Sequence, residues 1–223
     1  MRLLDLFCGA GGAAMGYRRA GFEVIGVDIK PQKNYPFEFR QADALEYCRD
    51  HGHEFNVIHA SPPCQRYARI GCVHGVRENH PDLVDPTRET LNSTGLPWVM
   101  ENVPDAKLKN AIILCGSMFG LGSVGELDGI YRQLRRHRLF ESNILLLSPE
   151  CNHDGEPIGV YGRGGPQRAT RNRGYMGGTR ERIEAMGIDW MSRDELSQAI
   201  PPAYTEYIGR QLMAILKRKE GAR

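Results

Sequence analysis

No stretch of this chain is apolar for long enough to cross a bilayer, and the hydrophobic run at its start, Leu3 to Phe7, is too short for a secretory signal. These absences exclude membrane-spanning classes and lead us to expect a soluble, cytoplasmic protein. Dense cysteine spacing is also missing. Cys8, Cys48, Cys64, Cys72, Cys115 and Cys151 lie scattered, so thiols rather than a disulfide framework are expected. A large excess of either charge is missing as well: the formal net charge is only +2, so any nucleic-acid contact has to come from local clustering. No internal repeat is evident. What is present is 41% hydrophobic content over 223 residues, enough to bury the core of a single α/β domain.

The pattern along the chain alternates strand and helix. Leu3 to Phe7 reads as a buried strand, Cys8-Gly9-Ala10-Gly11-Gly12 as a tight loop, and Ala13 to Ala20 as a helix ended by Gly21. Glu23 to Val27 reads as a second strand ending in Asp28, where a carboxylate either opens the turn to Pro31 or accepts hydrogen bonds from a ribose. A loop with Pro31 and Pro36 leads to Asp43, which either caps the helix from Ala44 to Arg49 or faces a base. Val57 to Ala60 returns to the sheet and is halted by Pro62 and Pro63, which cannot continue a ladder.

Cys64 follows that halt. A thiol at the carboxyl end of a parallel strand lies where open α/β sheets bind ligands, although a lone cysteine also serves as a small buried hydrophobe. A long polar stretch through Arg66, Arg69, Arg77 and Arg88 reads as a loop over the site, part of it open to being helical. Pro97 to Met100 reads as a strand that delivers Glu101, either a site carboxylate or a structural one. Further apolar segments are Ala111 to Leu114 and Leu139 to Leu147. Before the latter, strand alternation turns Arg136 and Arg138 to one face, either functional or a solvated edge. From Gly162 a Gly/Arg-rich segment carries Arg163, Arg168, Arg171, Arg173, Arg180 and Arg182, a composition suited to following a phosphate backbone or to an exposed flexible face. The end reads as a helix start at Arg193, then Pro201-Pro202, then an amphipathic helix from about Tyr204.

Asp5-Leu6-Phe7-Cys8-Gly9-Ala10-Gly11-Gly12, Pro63-Cys64-Gln65 and Glu101-Asn102-Val103, in that order, resemble the cytosine-5 DNA methyltransferase family. The resemblance extends through Arg136-His137-Arg138 to Ala199-Ile200-Pro201-Pro202. It implies an α/β, Rossmann-like S-adenosylmethionine-dependent methyltransferase fold with a small C-terminal Gly/Arg-rich DNA-contacting region. Residues 1–223 would form a single methyltransferase domain, with 141–190 a reduced target-recognition region inside it. The resemblance further implies that Phe7, Gly9, Gly11 and Pro63 line the S-adenosylmethionine pocket, with Asp28 on the ribose and Asp43 on the adenine. Cys64 would be the nucleophile that adds to C6 of the base, Glu101 the group acting at N3, and Arg136 or Arg138 the cation that binds the ring oxygen or positions Glu101.

The expected partner is double-stranded DNA, with short or degenerate sequence specificity. Two other readings remain: an RNA cytosine-5 methyltransferase, and a catalytically silent nucleic-acid-binding protein. The pairs Cys72-Val73-His74 and Cys151-Asn152-His153 permit a zinc site by composition, but their separation says nothing about proximity, and no metal is assigned.

Overall fold

The computed structural model describes residues 1–63, 82–161, 165–168 and 174–221. Its frame is a seven-stranded sheet. In chain order the strands and helices of the first half are β1 (Arg2–Leu6), α1 (Gly12–Arg19), β2 (Glu23–Asp28), β3 (Glu38–Gln41), α2 (Ala44–His51), β4 (Val57–Ala60), α3 (Val84–Ser93), β5 (Trp98–Asn102) and β6 (Ile112–Leu114). They are followed by β7 (Gly122–Val124), β8 (Tyr131–Leu134), β9 (Arg138–Ser142), β10 (Glu156–Gly159), β11 (Tyr175–Met176), α4 (Thr179–Met186), α5 (Arg193–Gln198) and α6 (Pro202–Gly221). The sheet order is β3-β2-β1-β4-β5-β9-β6, parallel from β3 to β5, with β9 antiparallel to both neighbours. This is the Rossmann-like architecture expected.

Both faces of the sheet are covered, so its central strands are apolar almost throughout. Alternation along β1 sends Leu3 to one face and Leu4 and Leu6 to the other. On the first face Leu3, Val57, Val99 and Phe140 pack with Tyr17 of α1 and Tyr204, Ile208 and Leu212 of α6. On the second, Leu4, Leu6, Ile58, Ala60 and Met100 pack with Ala44 and Cys48 of α2 and Leu91 of α3. Asp5, His59 and Glu101 break this apolar rule, and all three are buried. Asp5 pairs in register with His59, and His59 with Val99, so the three polar residues occupy the first face near the carboxyl ends of β1, β4 and β5.

Several expectations need correction. β3 lies in the stretch read as loop, because an exposed edge strand such as Glu38 to Gln41 shows no buried alternation. The later part of the polar stretch holds α3, whose Arg88 is buried against Glu141 of β9 through bonds of 2.6 and 2.8 Å. The apolar run Leu139 to Leu147 contributes strand only as far as Ser142, and Leu145 and Leu147 are exposed. Residues 64–81, which include Cys64, Arg66, Arg69, Cys72, His74 and Arg77, lie outside the described residues, as do Arg163, Arg171 and Arg173.

A second, four-stranded sheet in the order β11-β10-β8-β7 takes two of its strands from before residue 141. Its core, Leu134, Ile158, Val160 and Tyr175 with Ala185 and Met186 of α4, also touches Ala10 of the glycine loop. Arg132 binds Asp128 and Glu156 and lies 4.0 Å from the Tyr175 ring centroid, while the Tyr175 hydroxyl donates to Glu181. Two arginines of the Gly/Arg segment are thereby committed to structure: Arg182 is buried and donates to Gly177 O, and Arg180 pairs with Glu126.

The two ends of the chain meet where α1 crosses the start of α6, with Pro202 in the first helical position that tolerates a missing N–H. A methyl group on Gly12 would lie 2.4 Å from Ile200 O, and one on Gly16 would lie 2.1 Å from Pro202 O. The Thr205 hydroxyl donates to Ala13 O across this contact. Only glycine permits so close an approach. Gly16→Ala is therefore expected to destabilise the protein by roughly 1–3 kcal/mol, seen as a lower urea midpoint at unchanged slope.

Candidate active site

A cavity of about 370 Å³ opens at the carboxyl ends of β1, β2, β4 and β5, where a parallel sheet presents its ligand site. It has two walls. One is made by the β1 end and glycine loop with Asp28 and Ile29 of the β2 end, the other by Ser61, Pro62, Pro63, Glu101 and Arg138. Gln198, Ala199 and Ile200 help to close it.

The first wall is held by Asp28. Its Oδ2 accepts from Gly9 N at 3.1 Å and its Oδ1 from Lys30 N at 3.0 Å, which leaves lone pairs on both oxygens for a ligand's hydroxyls. Phe7, Gly9 and Gly11 all have positive φ, and the turn they make places Gly9 beside the carboxylate. Ile29, 65% exposed, adds an apolar surface next to Asp28. Deeper in, both carboxylate oxygens of Asp5 are buried and have no hydrogen-bond partner among the described residues. Burial first, then the Asp28 charge, raises the Asp5 pKa well above the usual carboxylate range. An unpartnered carboxyl facing a cavity suits a cationic group, so these acceptors fit S-adenosylmethionine, which carries ribose hydroxyls, an adenine and an amino-acid ammonium. Asp5 escaped functional assignment in the sequence because it lies inside an apolar strand; its signal is a lone carboxylate flanked by leucines.

The second wall carries a buried ion pair. Arg138 Nε lies 2.9 Å from Glu101 Oε1, with side-chain exposures of only 14% and 8%. Burial raises the Glu101 pKa, and the charges of Arg138 and Arg136 and a hydrogen bond from Ser61 pull it only part of the way back. Behind Ser61 the polar chain continues. His59 Nε2 is 2.9 Å from Ser61 Oγ, and His59 Nδ1 is 2.9 Å from the Tyr17 hydroxyl. Burial lowers the His59 pKa to about 3, so the ring is neutral and has one proton to donate. With Tyr17 donating to Nδ1, His59 donates to Ser61, and Ser61 to Glu101.

The expected site residues divide. Phe7, Gly9, Asp28, Pro63, Glu101 and Arg138 line the cavity. Gly11 instead opens α1 as its N-cap residue, where a Cβ would lie 2.8 Å from Pro36. Asp43 caps α2, its Oδ1 accepting from Leu45 N and Glu46 N at 2.9 Å. Arg136 does not share a strand face with Arg138, because β9 begins at Arg138; its guanidinium donates to Ala199 O and Ser197 O and so anchors the segment that closes the cavity. Cys64 lies outside the described residues and is next in sequence to Pro63. Cys8 lines the cavity, but burial and the charges of Asp5 and Asp28 raise its pKa and keep it a thiol.

The His59 pKa gives a testable sign. A histidine at about 3 in the folded state and about 6.5 when unfolded binds more protons unfolded, so stability falls as pH drops below about 6.5, by roughly 1.4 kcal/mol per unit. His59→Gln should lose this component, which urea midpoints for both proteins at pH 7 and pH 5 would register; parallel curves would refute the neutral assignment.

Comparison with known proteins gives the family and the fold. A family model described as C-5 cytosine-specific DNA methylase matches residues 1–112, half of the chain. The Type II methyltransferase M.FnuDI of Fusobacterium nucleatum is 32% identical over 85 residues, covering 35% of this chain and 25% of that protein. M.HgiDI of Herpetosiphon aurantiacus is 28% identical over 134 residues, covering 54% and 42%. The chain thus spans less than half the length of these curated relatives. Among solved structures, an Escherichia coli prophage protein described as a DNA modification methyltransferase shares the fold at a TM-score of 0.61 and 15% identity, covering 97% of this chain and 99% of its own. The Dnmt2 methyltransferase of S. pombe does so at 0.57 and 12%, with the same coverage. By its first 112 residues, this chain belongs to the C-5 cytosine-specific DNA methylase family.

Proposed function

We propose that the protein transfers a methyl group from S-adenosylmethionine to C5 of cytosine in DNA through a covalent Cys64 adduct. The observation that carries this reading is one cavity shared by two kinds of wall: the Asp5, Gly9 and Asp28 wall suited to the cofactor, and the Pro63, Glu101 and Arg138 wall suited to a base.

When bound, S-adenosylmethionine supplies an electrophilic methyl group on a sulfonium. Asp28 would accept from the ribose hydroxyls, Ile29 would offer the adenine an apolar surface, and Asp5 would meet the ammonium. The target cytosine leaves the duplex at a cost of a few kcal/mol, because its reacting atoms are out of reach inside the stack. The Cys64 thiolate forms a bond to C6 while Glu101 passes a proton to N3, so the ring electron pair becomes available at C5. Burial shifts the Glu101 pKa upward, the direction that favours a carboxyl exchanging a proton with N3. Once C5 has taken the methyl group, with S-adenosylhomocysteine left as the neutral thioether, a base would remove the C5 proton, the freed electron pair would restore the C5–C6 double bond and expel the Cys64 thiolate, and the proton on N3 would return to Glu101. Arg138 fixes the carboxyl and stabilises it once ionised.

The small sheet, with the segment through residue 190, is proposed as the DNA-contacting part, a reduced target-recognition region that reads a short or degenerate site. Its limited size favours phosphate contact over base-edge readout. Duplex DNA and RNA are offered in parallel with labelled cofactor, followed by mass spectrometry of the product. We expect 5-methylcytosine in DNA; transfer to RNA alone would overturn the substrate. Cys64→Ala should abolish transfer while retaining cofactor binding, and DNA containing 5-fluorocytosine should trap wild type covalently. Glu101→Gln should slow transfer by about 10²-fold or more with cofactor affinity unchanged, measured in single turnover.

A further inference from the structure

Outside the cavity, four metal-ligating side chains from three separate segments converge. Cys115 follows β6, His137 precedes β9, and Cys151 and His153 lie in the connection from β9 to β10. Their ligand atoms all lie within 4.8 Å of one another. Cys151 Sγ is 2.8 Å from His153 Nε2 and 3.5 Å from His137 Nε2, and Cys115 Sγ is 3.3 Å from His153 Nε2. Both imidazoles turn the same atom, Nε2, to the centre, with their rings edge to face at 5.1 Å.

We infer that Cys115, His137, Cys151 and His153 form a structural zinc site. A tetrahedral ion at about 2.3 Å from sulfur and about 2.0 Å from nitrogen separates its sulfur and nitrogen ligands by roughly 3.5 Å, which the S···N distances here approach. Two sulfurs and two imidazole nitrogens select zinc over magnesium or calcium, which take oxygen. Binding releases the two thiol protons, so two thiolates balance the ion's charge and the site is neutral. The surroundings suit that role. The Ser117 hydroxyl donates to Cys115 Sγ at 3.3 Å and lies 3.6 Å from Cys151 Sγ, placing a donor beside both sulfurs. Arg135 donates to His153 O at 2.8 Å and also to Gly155 O, holding the ligand-bearing connection against the sheet.

The position gives the ion a structural task. Leu114 pairs with Arg138 in the sheet, so Cys115 lies one residue beyond that pairing and His137 one residue before Arg138. Zinc therefore ties the start of β9, which carries the Arg138 of the Glu101 pair, to the end of β6 and to the exposed connection. Cys151 and His153 belong to one of the two pairs noted in the sequence, but their partners here are Cys115 and His137; Cys72 and His74 lie outside the described residues.

The test is metal analysis of the whole chain purified under reducing conditions without chelator, followed by Co²⁺ replacement. We expect about one zinc per chain, and on replacement the visible bands of tetrahedral Co²⁺ with sulfur charge transfer. Cys151→Ser/His153→Ala and Cys115→Ser/His137→Ala should each lose the metal, whereas Cys72→Ser/His74→Ala should retain it. A metal-free protein that gives no tetrahedral Co²⁺ spectrum would overturn the proposal. Loss of the metal from folded Cys72→Ser/His74→Ala would overturn it as well, and that arm decides even where the Cys115 variant does not fold. Because metal content is read without methyl transfer, failure here leaves the proposed activity standing, and failure of the activity leaves the metal site standing.

Discussion

The ion pair between Glu101 and Arg138 is the constraint around which the site is built. Two opposite charges removed from water need each other and their remaining hydrogen-bond partners, because a lone buried charge is far more costly than a satisfied pair. Here the balance is deliberately incomplete: burial outweighs the attraction of Arg138, and the Glu101 pKa stays raised. The pair exists because β9 runs antiparallel between β5 and β6, with Glu101 opposite Phe140 and Asn102 opposite Leu139. A parallel strand there would offer a different end of itself to Glu101.

The polar residues behind the pair follow the same logic. His59 and Tyr17 occupy positions where the alternation of β4 and the core face of α1 call for apolar side chains. They are tolerated because each polar atom finds a partner, Tyr17 on His59 and His59 on Ser61. Asp5, beside them on β1, has no such partner among the described residues. The contrast separates a satisfied polar network from a carboxylate that lines the cavity without one.

Closure of the cavity depends on the far end of the chain. Arg136 binds the carbonyls of Ser197 and Ala199, the Tyr204 hydroxyl donates to Arg136 O, and the glycines of α1 admit the same segment from below. One arginine of the Arg136-His137-Arg138 run therefore shapes the wall and another pairs with Glu101 at the cavity. The histidine between them joins the cysteine and histidine cluster, so three consecutive side chains serve three different parts of the structure.

The sequence by itself determined the βα rhythm of the first hundred residues, the glycine loop, the acidic end of β2 and the identity of the Glu101 strand. Each of these is local: a buried parallel strand is an unbroken apolar run, and a tight turn needs glycine where φ is positive. Only the tertiary structure decided which of Arg136 and Arg138 meets Glu101, that Asp43 spends its carboxylate on a helix cap, that Asp5 is orphaned, and that Cys151 and His153 find Cys115 and His137. Those outcomes depend on strand order and on contacts between residues far apart in the chain, and neither periodicity nor spacing carries that information. The edge strand β3 and the short strands of the second sheet were hidden for a related reason: a strand exposed on one side or only a few residues long owes its existence to its neighbour's hydrogen bonds more than to its own pattern.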